Sequence, residues 1–265
     1  FLLTVLDGYT PHLEGRFEAS WDNDDLDIYR VGLNGAVTVL CNKLLQIMPR
    51  WSGYRRPDQA DIDVWRLGAG FVTALNHQWA LHLYGWVDRL DSAAPLYGGT
   101  EKLGWTRPGG DLWFTWLPLP RLRLDFGGTS DYVETFYAMN NLIDYDQANL
   151  SADWRLARRW KLGAAGEIAD YSDGNEKRKG TVRLSWRREG RWEFHVGPVF
   201  TYMDFAIPYP GGYWAPDWVR NGSLEATVKT RVKKFTFRIN GSYGQEKELG
   251  SDAIGVGGLS GRVGW

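Results

Sequence analysis

Residues 181–187 read Thr-Val-Arg-Leu-Ser-Trp-Arg, and polar and apolar side chains alternate strictly along this stretch. Successive side chains of a β-strand point to opposite faces, so Val182, Leu184 and Trp186 share one face and Arg183 lies on the other. In a soluble sandwich the apolar face would cover the core. In a membrane barrel it contacts lipid, while the polar face lines the interior. The stretch therefore predicts a strand and leaves both folds open.

The same alternation recurs in residues 16–21, 122–126, 224–232 and 235–240. No segment carries an apolar stripe at helical spacing over three turns, which argues against a helix-rich fold. We expect about fourteen strands, with ends placed to within two or three residues. They are predicted near 12–22, 27–40, 43–55, 60–75, 77–89, 110–118, 121–130, 147–158, 160–171, 177–188, 191–206, 221–233, 235–246 and 252–265.

The connections between these strands decide between the two folds, because they alternate in length along the whole chain. Short turns such as 118–120, 158–159 and 233–234 alternate with longer, polar or Gly/Pro-rich loops. Bacterial outer-membrane barrels have short periplasmic turns and longer extracellular loops. The pattern predicts an all-β protein, a transmembrane antiparallel up-and-down β-barrel in the bacterial outer membrane. The longer loops are expected at 23–26, 56–59, 90–109, 131–146, 172–176, 207–220 and 247–251.

The composition is consistent with a barrel. The 265 residues include 15 Trp and 13 Tyr, which suits aromatic girdles at two membrane interfaces. A formal net charge of −1 argues against nucleic acid as a partner. The single cysteine, Cys41, excludes an intramolecular disulfide and offers no metal cluster, so we expect neither metal nor cofactor.

Several segments carry a resemblance to a known family. They are residues 7–14 (DGYTPHLE), 145–155 (YDQANLSADWR), 170–175 (DYSDGN) and 212–216 (GYWAP). Together they resemble the C-terminal barrel of outer-membrane exopolysaccharide-export porins. That family includes the secretion channels for cellulose and poly-N-acetylglucosamine.

The resemblance implies a domain organisation and partners. In the family a periplasmic tetratricopeptide superhelix precedes the barrel, so residues 1–11 would be the end of a linker and residues 12–265 the barrel. Well-known members have sixteen strands, which leaves a shorter barrel or a missing terminal hairpin as alternatives here. The partners implied are outer-membrane lipid, the exported polysaccharide, and a periplasmic helical-repeat scaffold or an inner-membrane synthase complex.

Period-2 alternation assigns a set of charged side chains to the barrel interior. These side chains form either a mutually paired lining that keeps the barrel rigid or a polar track for a hydrated polymer. Both signs are present, with a modest positive excess, and they favour neither a cationic nor an anionic cargo. The set comprises Arg16, Glu18, Arg30, Arg66, Asp88, Arg123, Asp125, Asp153, Arg155, Lys161, Glu167, Arg183, Glu193, Glu225, Lys229, Arg231 and Arg238.

Aromatic residues offer further candidate contacts for sugar rings. Tyr84, Trp86 and Trp116, together with Phe114, face inward in one register, whereas a shift of one residue returns them to the lipid face. Loop 207–220 is predicted either to gate the mouth and contact sugar or to pack on itself as a cap. Its candidate residues are Tyr209, Tyr213, Trp214, Asp217, Trp218 and Arg220.

A second loop, 131–146, has Phe136, Met139, Leu142 and Ile143 at near-helical spacing, which predicts a short helix that constricts the pore. The function expected is export of an exopolysaccharide without chemistry in the barrel. The alternatives are a general diffusion porin and an outer-membrane enzyme. The sequence has four His but no serine elbow or His-Glu-x-x-His motif, which argues against the enzyme.

Overall fold

A computed structural model of the chain describes residues 11–21, 27–40, 43–57, 59–95, 102–208 and 213–264. Each strand pairs antiparallel with its neighbours in sequence, and β14 lies beside β1, so that the strand order closes into a barrel. The predicted fourteen-stranded up-and-down barrel is confirmed. The strands are β1 (His12–Trp21), β2 (Asp27–Leu40), β3 (Lys43–Arg55), β4 (Ile62–Ala74), β5 (Trp79–Pro95), β6 (Lys102–Leu119), β7 (Leu122–Tyr132), β8 (Asp144–Arg155), β9 (Trp160–Tyr171), β10 (Glu176–Arg188), β11 (Trp192–Phe205), β12 (Trp218–Val232), β13 (Phe235–Glu248) and β14 (Ile254–Gly264).

A short helix, α1 (Phe136–Asn140), lies between β7 and β8. The helix predicted within residues 131–146 is therefore confirmed. Within the described ranges, no helix is long and apolar enough to cross a membrane.

The predicted loop 90–109 is the largest error in the strand assignment. β5 continues to Pro95 and β6 begins at Lys102, so most of this loop is strand. The two strands have 17 and 18 residues, whereas about 9–11 residues cross a bilayer. Their extra length extends the sheet beyond the membrane-spanning part.

The chain divides into two compact units, which are described separately. The first unit comprises Phe1–Leu112 and Thr129–Asp144, and the second comprises Trp113–Gly128 and Tyr145–Trp265. The predicted linker, residues 1–11, falls almost wholly outside the described residues, as does Cys41.

In the first unit the exposed face of the strands is apolar and the buried face is polar. In β4, Trp65 and Leu67 are 60% and 65% exposed, whereas Arg66 between them is 9% exposed. In β5, Val87 is exposed and Asp88 is fully buried. This distribution is the reverse of that in a soluble domain, and a strand that crosses a bilayer requires it because lipid covers the outer face.

Toward the start of β4, next to the loop, the polarity of the two faces is exchanged, so that the inner side chains are apolar and the outer ones polar. Ile62 and Val64 are fully buried, and Asp63 between them accepts a hydrogen bond from Arg55 at 2.8 Å on the other face. Beyond Trp65 the outer face is therefore suited to water, and the inner face forms an apolar cluster. The apolar cluster comprises Tyr54, Ile62, Val64, Leu90, Tyr132, Phe136 and Met139.

In the second unit the same two faces are distinct. Val182, Phe200 and Leu224 are exposed apolar residues on one face. On the other face Thr181 and Thr201 lie in register, with their hydroxyl oxygens 3.2 Å apart. Hydroxyl-bearing and charged residues alternate with apolar ones along these strands, as the sequence predicts.

Candidate functional site

The segment 131–144 of the first unit folds onto the inner face of the barrel wall, and we call it the inward segment. Its helix α1 starts after Thr135, whose hydroxyl oxygen accepts a hydrogen bond from the Ala138 amide at 3.2 Å. This is a standard N-cap, which stabilises a helix too short to form alone. The cap fixes Phe136 and Met139 in the apolar cluster.

Trp105 of β6 holds the inward segment against the wall. Its indole nitrogen donates to the Met139 carbonyl oxygen at 3.3 Å. Its ring meets that of Tyr132 edge to face, with centroids 5.7 Å apart. Edge-to-face contact is a favoured geometry for aromatic pairs, so the ring contact with Trp105 holds the segment in addition to the burial of its apolar side chains.

Three carboxylates pair with four arginines of the strands. Glu134 lies within the inward segment, whereas Asp131 and Asp144 stand at its two ends, where β7 ends and β8 begins. Asp131 pairs with Arg66 at 2.8 Å, and Asp144 pairs with Arg107 at 3.0 Å. Glu134 lies between Arg30 and Arg50, and its distance to Arg50 is 3.4 Å. The four arginines come from β2, β3, β4 and β6. Glu134 therefore joins the segment to β2 and β3, while Asp131 and Asp144 fix its two ends to β4 and β6.

Arg66 also forms a buried, two-point ion pair with the wall itself. Its Nε and one Nη each lie 2.7 Å from an oxygen of Asp88, which is fully buried. The guanidinium lies 4.3 Å from the ring centroid of Trp86, which is 5% exposed. Tyr84 is buried beside Trp86, with ring centroids 5.1 Å apart. The structure thus brings together four of the residues that the sequence assigned to the lumen.

At the start of the chain three predicted lining residues form a second group. Glu18 accepts from Arg30 at 2.9 Å and from Arg16 at 3.1 Å. Arg30 therefore bridges Glu18 on the neighbouring strand and Glu134 of the inward segment. Nothing in the sequence pattern links Glu134 to Arg30, because 104 positions separate them.

The predicted lining residues of the second unit are mostly paired with a residue of opposite charge. Four pairs are Arg123 with Asp125 at 2.8 Å, Lys161 with Asp153 at 2.8 Å, Arg183 with Glu225 at 2.9 Å, and Arg187 with Glu193 at 3.5 Å. Lys177 and Glu167 form a further pair on the same face.

Three predicted lining residues are placed by register alone. Arg155 lies opposite Lys161. Lys229 lies between Glu193 and Arg238 on the neighbouring strands.

The inward placement of Trp116 is wrong. Thr115 donates to Asp125, so these two side chains share a face. This face is the inner one, because Trp113 has the same parity as Thr115 and lies in a cleft with Asp153 and Arg183. Phe114 stacks on Phe126 on the other face, with centroids 5.4 Å apart and an interplanar angle of 17°. Trp116 shares the parity of Phe114 and therefore faces outward.

The inner aromatic residue of β6 in the second unit is instead Trp113, which lies on the face opposite Phe114 and Trp116. Residues 113–117 read Trp-Phe-Thr-Trp-Leu, so both faces of this stretch carry large apolar side chains. Alternation therefore gives no answer here. The single polar residue, Thr115, was the available signal, because it shares a face with Trp113.

The loop between β11 and β12 packs against a neighbouring turn of the second unit. The Tyr213 hydroxyl donates to Asp173 at 2.9 Å and accepts from the Asn175 amide at 3.0 Å. Its ring stacks on Tyr171, with centroids 5.3 Å apart. Burial, reinforced by the Asp173 carboxylate, raises the pKa of Tyr213 to about 12.

The other residues predicted for this loop are placed differently. Trp214 donates to Glu248 at 2.7 Å, and Asp217 is exposed. Trp218 and Arg220 do not belong to the loop, because β12 begins at Trp218 and pairs with β11 and β13 from there. Arg220 lies over the Trp218 ring at 4.9 Å, on the face opposite the buried Val219. Tyr209 lies outside the described residues.

In the described part of the chain, no group of three or more His, Cys, Asp or Glu side chains could hold a metal ion. The absence of catalysis stays a prediction.

No protein-family model matches the sequence, and no curated protein does either. The fold is similar to that of a bacterial polysaccharide outer membrane secretin, with a TM-score of 0.64 and 13% identity over 96% of this chain and 85% of that chain. It is also similar to the CymD monoaromatic hydrocarbon channel, with a TM-score of 0.57 and 10% identity over 96% and 86% of the two chains. A FadL homologue from Pseudomonas aeruginosa has a TM-score of 0.52 and 11% identity over 96% and 86%.

These likenesses concern the fold, which is that of bacterial outer-membrane β-barrels. The exposed apolar face of the strands is the surface that such a barrel presents to lipid. Fold and surface together locate the chain in the bacterial outer membrane.

Proposed function

We propose that the barrel is a transport channel that exports a hydrophilic polymer, an exopolysaccharide, from the periplasm to the exterior. The observation that carries this proposal is the charge pairing of the inner face. In the second unit, Arg183 with Glu225 and Lys161 with Asp153 each cancel a charge while leaving hydrogen-bonding groups on the wall. Such a wall suits a hydrated, uncharged chain better than a small ion of either sign.

The similarity of the fold to that of a bacterial polysaccharide outer membrane secretin supports a transport channel. The resemblance of segments such as 212–216 to exopolysaccharide-export porins points in the same direction. We further propose that a periplasmic helical-repeat scaffold or a synthase complex delivers the polymer.

The inward segment acts as the gate in this proposal. Its residues 133–143 leave the sheet and pack on the inner face, and the ion pairs of Glu134 with Arg30 and Arg50 hold them there. Ion pairs between partly exposed groups exchange with solvent and are weakened by salt, so they can release the segment without unfolding the barrel.

Single-channel conductance in a planar bilayer tests the proposal, with and without neutral hexasaccharides such as maltohexaose. We expect a conductance with closed intervals that hexasaccharide reduces further and that monosaccharide does not. A steady pore indifferent to saccharides of every length would contradict polymer export and support the general diffusion porin.

A further inference from the structure

We propose that the inner face of the second unit holds a sugar-binding site centred on Trp113, which takes one or two pyranose rings of a neutral glycan. The inference rests on the proposed function, because it identifies where the exported polymer contacts the wall. The site is a cleft of about 350 Å³ on strands β6, β8, β9 and β10. Small-molecule sites occupy roughly 300–1,000 Å³, so the cleft is large enough for a sugar.

The register places the polar residues of the cleft in two rows. Asn149, Glu167 and Lys179 lie side by side across β8, β9 and β10. The second row lies four positions along each strand from the first, and in it Asp153 and Arg183 flank Gly163. All of these residues except the glycine carry hydrogen-bonding side chains, and all line the cleft with Trp113.

Trp113 reaches this cleft because the strand between it and β8 presents no side chain there. The contacts of Thr115 with Asp125 and of Phe114 with Phe126 set the register of β6 and β7, and the same register pairs Trp113 with Gly127. A glycine leaves the inner surface of β7 flat at this position. The indole is therefore a wall of the cleft although its own strand is two strands away from β8.

An amide donor of the cleft lacks a partner. Asn149 lines the cleft, and its side-chain oxygen accepts a hydrogen bond from Gln147 at 2.7 Å. Its Nδ2 nitrogen is buried and has no hydrogen-bond partner within the part of the chain that the structure describes. A buried donor without a partner costs free energy, which a sugar hydroxyl would recover when the amide turns toward the cleft.

The shape and charge of the cleft favour a neutral sugar. Two carboxylates, Asp153 and Glu167, and two cations, Lys179 and Arg183, give no net charge. At Gly163 an added Cβ would lie 3.1 Å from the Asp153 carboxylate, so the glycine gives that carboxylate room on the wall. The π-face of Trp113 suits the C–H face of a pyranose, while the flanking polar groups suit its hydroxyls.

Trp113 and Trp116 provide a matched pair for the test, because they lie on the same strand and on opposite faces. The W113A and W116A variants, folded into phosphocholine micelles that carry no sugar headgroup, would be titrated with maltohexaose and cellohexaose by saturation-transfer NMR. We expect W113A to weaken binding at least about tenfold and W116A to leave it unchanged. The W113F variant, which keeps a smaller ring, should fall between them.

Equal binding by both alanine variants, or binding lost only in W116A, would overturn the site. Heat-dependent gel mobility reports whether each variant has folded. If W113A does not fold, N149S makes the same test within the same cleft. This outcome can be separated from that of the proposed function. If hexasaccharide blocks the wild-type channel in the bilayer but neither W113A nor N149S weakens binding, the export proposal stands and only this site is excluded.

Discussion

Arg66 is the residue on which the charges of the first unit converge. It pairs with the fully buried Asp88 and with Asp131 of the inward segment, and Trp86 covers its guanidinium. One cation and two carboxylates thus share a site with little water. Removing the cation would take from Asp88 its ion-pair partner and leave Asp131 with Arg107 at 3.9 Å.

Replacing Arg66 with leucine should destabilise the protein by about 3–5 kcal/mol, the cost of uncompensated charge at a buried ion pair. The control is Arg89→Leu on the outer face, where Arg89 pairs with Asp91 and both side chains are about half exposed. An exposed pair contributes about 0–1 kcal/mol. Urea unfolding in lipid vesicles measures both values, and equal losses would show that burial of the Arg66 pair is unimportant.

Tyr213 allows a test of how its loop is held. Its raised pKa means that the docked loop binds the phenolic proton more tightly than the undocked loop does. The contribution to docking is therefore complete below pH about 10 and is lost as the pH rises toward about 12. Protease cleavage within 213–217, measured across this range, should increase in the wild type.

The Y213F variant is the control for that titration. Phenylalanine keeps the stack on Tyr171 but cannot bond Asp173 or Asn175, so its loop should be cleaved faster at neutral pH and show no further change up to pH 12. A Y213F profile that still rises with pH would assign the titration to another group.

At the scale of elements, the inward segment is the part of the first unit that combines apolar docking with charge pairing. Tyr132, Phe136 and Met139 are buried in the apolar cluster, whereas Glu134 points to Arg30 and Arg50. The apolar contacts favour one docked position, and the ion pairs set how firmly it is held. A charge change should therefore alter gating more than folding.

Glu134→Gln should shift the segment toward the undocked state by about 1.5–3 kcal/mol, the usual contribution of hydrogen bonds to charged groups. This corresponds to a roughly ten- to hundredfold change in the docking equilibrium, which single-channel recording would register as longer open intervals. Raising the salt concentration should lengthen the open intervals of the wild type and have less effect on the variant.

The matched control is Glu189→Gln, in the turn between β10 and β11, where Glu189 is exposed and 3.4 Å from Arg187. Its open intervals should equal those of the wild type. A Glu134→Gln channel with unchanged gating at every salt concentration would exclude the inward segment as the gate.

At the scale of the whole molecule, alternation accounts for what could be predicted from the sequence. Membrane strands keep one phase over many residues, as Trp65, Leu67 and Val87 do on the outer face, and this reveals strand number and order. The rule failed where the phase reverses beyond Trp65, because Val64 and Leu90 are apolar on the inside. The extended ends of β5 and β6 therefore resembled a loop.

The candidate site was predictable only where neighbouring strands supply the partners. Arg30 with Glu18 and Arg66 with Asp88 lie in register on adjacent strands. The docking of Glu134 depends on tertiary packing of a loop, which periodicity does not report. Trp113 was missed because its stretch is apolar on both faces.

The phase reversal also predicts where the bilayer ends on the first unit. Ala69 and Ala93 are both exposed on the outer faces of their strands. Ala69 lies among apolar residues such as Leu67, whereas Ala93 lies beyond Asp91, which pairs with Arg89. If lipid covers the outer face only below Trp65, the same substitution will have different effects at the two alanines.

Ala69→Arg should cost about 2–4 kcal/mol, the penalty for arginine at the lipid face near the bilayer midplane, and Ala93→Arg about 0–1 kcal/mol. Reversible unfolding of each variant from vesicles measures the difference. Because the introduced side chain is identical, strand propensity and side-chain entropy largely cancel between the two variants. A comparable penalty at both positions would mean that lipid extends over the long ends of β5 and β6. The conclusion that the outer face beyond Trp65 is suited to water would then be wrong.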